Sequence, residues 1–103
     1  MQKLELVVSL NRSKSKEFKQ SLQILKDKIE EHSTSFDIDE SEDALSFSLI
    51  VQWETDVQMR QELQNDEFKI LSGAINSLCE KTIIRLDDVL IGNHISRIKD
   101  LLY

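Results

Sequence analysis

Two runs of strict alternation constrain what this chain can fold into more than any other feature. Between Lys3 and Leu10, the residues Leu4, Leu6, Val8 and Leu10 share one face, with Glu5, Val7 and Ser9 on the other. Between Ala44 and Trp53, one face carries Leu45, Phe47, Leu49, Val51 and Trp53. Side chains on a strand point alternately to its two sides, so each run predicts a strand with one strongly apolar face. The reverse face of the second run holds Ala44, Ser46, Ser48, Ile50 and Gln52. It is small and polar rather than charged, which suits packing against a second sheet better than contact with bulk water.

The period changes between these runs. Asn11 to Ser15 supplies capping side chains, and Phe18, Leu22, Leu25 and Ile29 then recur at helical spacing, predicting a helix over 14–31. Ser33 to Asp39 alternates around Phe36 and Ile38, and the acidic turn Glu40 to Asp43 joins it to the second long run as a hairpin. Thr55 or Asp56 caps a stretch with Val57, Met59 and Leu63, and Asn65 or Asp66 opens another with Phe68, Leu71, Ile75 and Leu78, so a broken helical segment is predicted over 56–81. Gly73 inside it costs ~1 kcal/mol against alanine and points to close packing with a strand or a ligand. Thr82 to Ile91 reads as a final strand, and Asn93 as the cap of a closing helix, His94 to Leu102.

This order predicts one α+β domain over 1–103, a ferredoxin-like βαββαβ sandwich with four antiparallel strands, both long helices on one face and an extra C-terminal helix. The sheet's other face then shows Val7, Ser9, Ser46, Ser48 and Ile50, too few charges for free solvation. A second copy of the chain is the expected cover, making the partner self, through the sheet face.

Composition removes whole classes of function. Two glycines, Gly73 and Gly92, cannot supply a phosphate-cradling loop or a dinucleotide fingerprint. Residues 30–67 carry twelve acidic groups and one basic group, which opposes nucleic-acid binding and leaves the lysines of 14–28 as a solvated helix face. The strand 45–51 also lacks the basic-glycine-aromatic signature of RNA-recognition folds. No apolar run approaches the ~20 residues of a membrane span. With a single cysteine and no basic, apolar leader at the start, a cytoplasmic setting is the expectation.

The candidate chemistry is sparse. Cys79 lacks a CxxC partner and His32 and His94 fit no metal-ligand spacing, so no metal is expected. Cys79 falls on the apolar stripe as a structural thiol, and His32 follows the first helix as a helix-end cation. Glu54, Asp56, Glu62, Asp66 and Glu67 read as helix-start charges with a solvated remainder. Trp53 could stack on a planar ligand while its indole N–H holds a polar group of that ligand. Ser72 and Asn76, one turn apart, could offer hydrogen bonds to the same molecule.

Trp53-Glu54-Thr55-Asp56, Leu63, Asn65-Asp66-Glu67-Phe68, Leu71 and Leu78, with the Lys16-Glu17-Phe18 opening of the first helix, together resemble one known group. It is the antibiotic-biosynthesis-monooxygenase-like group of the dimeric α+β barrel superfamily, and the resemblance covers most of 3–91. It implies a homodimer in which two sheets form a barrel and each subunit holds a small apolar pocket between sheet and helices. Members oxidise polycyclic aromatic or quinol substrates with O₂ and no cofactor, or degrade haem. The three residues of the haem-degrading members would fall near Leu6 to Val8, at about Glu62 and at Ser72, and none is kept. Where many relatives carry a histidine before the helix break, this chain has Arg60, Gln61 and Glu62. The resemblance therefore implies a small-molecule-binding homodimer with Trp53, Ser72 and Asn76 as pocket residues and no assigned catalytic residue. A non-enzymatic dimerisation or sensing module is the alternative.

Overall fold

The computed structural model describes residues 1–95 and residue 98. In chain order the elements are β1 (Gln2–Ser9), α1 (Arg12–Glu31), β2 (Ser35–Glu40), β3 (Ser46–Trp53), α2 (Asp56–Leu63), α3 (Asp66–Leu78), β4 (Lys81–Leu86) and β5 (Val89–Gly92). The strands form one antiparallel sheet in the order β2-β3-β1-β4-β5. The two alternating runs are neighbours at its centre, with Leu4 opposite Val51 and Leu6 opposite Leu49. That register puts Leu4, Leu6 and Val8 of β1 and Phe47, Leu49, Val51 and Trp53 of β3 on the same side, where the helices lie.

Packing follows from the stripes. Phe18, Leu22, Leu25 and Ile29 of α1 and Phe68, Leu71 and Ile75 of α3 are buried against that face. The Phe18 and Phe47 rings meet edge-on at 5.3 Å. Thr55 caps α2 by accepting the Gln58 N–H at 3.1 Å, as its hydroxyl can at a helix start. Asn65 precedes α3 without a capping side-chain bond.

Two expectations are corrected. The run Thr82 to Ile91 is not one strand but the β4–β5 hairpin, so the sheet has five strands rather than four. Asp87 and Asp88 turn the chain with φ of 50° and 70°, the left-handed pair of a tight hairpin, which aspartate tolerates better than most residues. Lys3 holds the turn: its N–H donates to Asp87 Oδ1 at 2.8 Å, and its ammonium stands 3.1 Å from Asp88. Gly73 is exposed, and a Cβ there would meet nothing within 4 Å, so it marks no close approach. The helices begin and end within two or three residues of expectation, and Ala44, at φ 60°, belongs to the turn before β3. The predicted closing helix lies largely outside the described residues, although Ile95 and Ile98 are buried in the core.

The sheet's other face is open. Ile50, Val7, Ile83 and Leu90 lie across β3, β1, β4 and β5, with the Glu5–Arg85 ion pair at 3.2 Å beside them. No helix among the described residues is long and apolar enough to cross a membrane.

Candidate functional site

At the end of β3 the alternation carries Trp53 to the helix side, where it is wholly buried and packs against Phe68 of α3 at 6.4 Å. α2 crosses nearby and is anchored by three buried residues, Met59, Glu62 and Leu63. Two of these are ordinary apolar anchors. The third is a carboxylate that is 1% exposed.

Glu62 corrects the expectation of a solvated helix charge. Its two carboxylate oxygens have no hydrogen-bond partner, and neither has Trp53 Nε1, which is also buried. Buried polar groups are nearly always paired, because removing one from water without a partner costs about 1–3 kcal/mol, and more for a charge. Loss of water is the main effect on Glu62 and pushes its carboxyl up to about 7. Glu67 adds to that rise, whereas His32, the Asn65 side chain and the Trp53 indole N–H favour the charged form. Asn65 and the indole approach the carboxylate without closing a bond of ordinary length. The result is a buried donor and a buried acceptor that face one another, with Asn65 beside them, without a bond of ordinary length.

On the solvent side of α2 lies a cleft of about 470 Å³, lined by His32, Thr34, Glu54, Gln58 and Gln61 among others. It is bounded by the end of α1, the start of β2, the end of β3 and one face of α2. Gln61 is the chain neighbour of Glu62, and His32 belongs both to the cleft wall and to the field at the buried carboxyl. His32 ends α1, its N–H bonded to the Ile29 carbonyl, in agreement with a helix-end position.

The other sequence candidates fall in different places. Ser72 is half-buried on α3, and Asn76 is exposed and lines a small cleft of about 80 Å³ with Cys79, Thr82 and Ile95. Neither Trp53 nor Ser72 lines that cleft or the larger one. The structure thus places Trp53 with Glu62 and Phe68, and Asn76 near the β4 end of the molecule. Burial pushes the Cys79 thiol up to about 12, so it stays protonated at neutral pH and is a poor nucleophile. Asp56, Asp66 and Glu67 sit in the first turns of their helices as expected. Among the described residues no group of three or more His, Cys, Asp or Glu could hold a metal ion. Glu62 carried a sequence signal: positions 59, 62 and 63 share one helical face, and a lone acid on an apolar face is itself informative.

No protein-family model matches this sequence, and no curated protein sequence matches it significantly. Its three-dimensional form does have close counterparts. A Nitrosomonas europaea protein named as an antibiotic biosynthesis monooxygenase superposes with a TM-score of 0.76 at 16% identity, covering 84% of this chain and 95% of that one. A second antibiotic biosynthesis monooxygenase structure gives 0.76 at 16% identity, covering 86% and 98%. A protein of unknown function from Bacteroides thetaiotaomicron gives 0.75 at 16% identity, covering 82% and 93%. The resemblance read from the sequence therefore holds at the level of the fold.

Proposed function

We propose that this chain is a homodimeric protein that binds a small, largely apolar or aromatic molecule between its sheet and its helices, in the manner of the cofactor-independent monooxygenases whose fold it shares. The observation that carries this reading is the pair formed by Trp53 Nε1 and the Glu62 carboxyl, buried in the core next to one another without a hydrogen bond of ordinary length. Ligand sites have this composition: mostly apolar walls and a few convergent polar groups, one of them with a displaced pKa. Dimerisation is supported by the open outer face of the sheet, where Val7 stands opposite Ile83 and Ile50 lies on the same face opposite Glu5.

Equilibrium dialysis with 1-naphthol tests the reading. Wild-type protein is expected to retain it, and Trp53→Ala to lose it. Trp53→Ala also costs about 3–5 kcal/mol of stability by opening a core cavity, so Trp53→Phe is measured beside it as a milder change. Unchanged affinity in a folded Trp53 variant overturns the assignment.

A second reading draws on the outer face alone: a dimerising or sensing module with no ligand. It predicts a dimer that retains no aromatic molecule and whose Glu62 and Trp53 can be replaced by apolar residues without loss of its role.

A further inference from the structure

α2 is eight residues long and buries only Met59, Glu62 and Leu63. Among the described residues its hydrogen bonds and ion pairs close within 55–65. The Met59 N–H donates to the Thr55 carbonyl, the Gln58 N–H to the Thr55 hydroxyl and the Asn65 N–H to the Glu62 carbonyl, and Arg60 stands beside Asp56. No bond of ordinary length joins the helix to the sheet or to α1, so lifting it would expose apolar side chains without breaking a ladder. The backbone is extended on either side, with φ −132° and ψ 159° at Thr55 and φ −73° and ψ 155° at Asn65. A short helix between two such joints can move as a unit, because a few element-terminal residues suffice to absorb the change in dihedrals.

One of the three anchors can change its charge. The Glu62 carboxyl is 1% exposed, and Trp53 Nε1 and Asn65 face it without closing a bond of ordinary length. Such a group is tolerated in a core as the neutral acid and needs water once ionised. The cleft lined by Gln58 and Gln61 brings solvent to another face of the same helix. We propose that α2 is a pH-governed flap: with Glu62 protonated it lies closed over Trp53, and with Glu62 ionised it swings about Thr55 and Asn65, hydrating the carboxylate while the sheet, α1 and α3 stay folded. The groups facing Glu62 from neighbouring elements are His32 at the end of α1, Trp53 on β3, and Asn65 and Glu67 at the start of α3. Loss of water holds the closed carboxyl at about 7 against an ordinary 4.5. Rising pH therefore favours the open state, by up to about 300-fold in all and on the order of 50-fold between pH 5 and pH 7.5. The flap goes beyond the small-molecule reading and operates in the empty protein.

Native-state hydrogen exchange of the full chain tests it. Rates are followed by NMR at pH 5 and pH 7.5, corrected for the intrinsic chemistry at each pH, and repeated in urea below the unfolding transition. The chain has a single tryptophan, so its indole N–H is read without assigning the rest of the spectrum, and fraying of α2 alone leaves that buried group protected. The indole and the amides of 59–63 are expected to exchange through one opening that urea does not accelerate, whereas the amides of β1 and β3 exchange more slowly and follow urea as global unfolding does. The population of that opening should rise on the order of 50-fold from pH 5 to pH 7.5 in wild-type protein and stay level in Glu62→Gln. Glu62→Leu, also unable to ionise and suited to an apolar position, is measured beside it and should likewise stay level. An indole N–H that exchanges with the same urea dependence as β1 and β3 overturns the flap, since Trp53 is then exposed only by global unfolding. A level population in wild-type protein also overturns it, as does a rise that survives both substitutions, which assigns the response to another group, His32 included.

Discussion

Glu62 should make the stability of this domain fall as pH rises through a range where most proteins are at their best. A carboxyl with a folded-state pKa of about 7 against 4.5 in the unfolded chain binds its proton more tightly when folded. Stability is therefore fully present below pH 4.5 and is lost progressively as pH rises to about 7 and beyond. At 1.36 kcal/mol per pKa unit the loss amounts to about 3 kcal/mol, a large part of the ~5–15 kcal/mol that holds a domain of this size together. The groups that set it come from every neighbouring element: His32 at the end of α1, Trp53 on β3, and Asn65 and Glu67 at the start of α3. Glu62→Gln preserves the shape of the protonated acid and cannot ionise. Urea unfolding at fixed protein concentration, from pH 4 to pH 8, should find the two proteins within about 1 kcal/mol at pH 4 and the variant more stable by about 3 kcal/mol at pH 8. The comparison cancels other carboxylates, such as Asp43, whose pKa is lowered by the Ser41 hydroxyl and the Leu45 N–H. A difference that stays constant across the range, or wild-type protein gaining on the variant as pH rises, would refute the reasoning.

Further expectations follow from single features. Gly73→Ala places a methyl group in open space on an exposed helix face and should stabilise the fold by about 1 kcal/mol, read as a rise in urea midpoint. Asp88→Gly relieves a left-handed backbone at φ 70° at the expense of an exposed ion pair, and should stabilise by about 0.5–1 kcal/mol in the same assay. Ile83→Lys, at a position 37% exposed on the outer sheet face, should cost the monomer fold less than about 1 kcal/mol and convert the proposed dimer to monomer in sedimentation.

The alternating runs made the central strands legible because period two leaves no other structure that buries Leu4, Leu6, Val8 and Leu45 to Trp53 together. Helix starts were legible where a side chain does the capping, as at Thr55. The β4–β5 hairpin was hidden because Asp87-Asp88 contains no glycine and is flanked by aliphatic residues on both sides, so it reads as an interruption of one strand. At Gly73 composition misled: the cost of a helical glycine suggested a steric reason, yet the residue faces away from Leu71 and Ile75 toward solvent. The candidate site was half legible. Trp53 stood out by its type and its place at a strand end. Glu62 did not, since a glutamate among polar neighbours such as Gln61, Gln64 and Asn65 is usually solvated, and only the packing of α2 with Met59 and Leu63 on its inner face turns this one inward.

The central claim, a dimer whose interior holds a small organic molecule, is tested most directly by native mass spectrometry of protein purified from its own cells, recording assembly mass and retained mass together. The account predicts twice the chain mass plus a discrete organic adduct that is lost in the Trp53→Phe variant. A monomer, or a dimer that stays empty under conditions that preserve its fold, would contradict it.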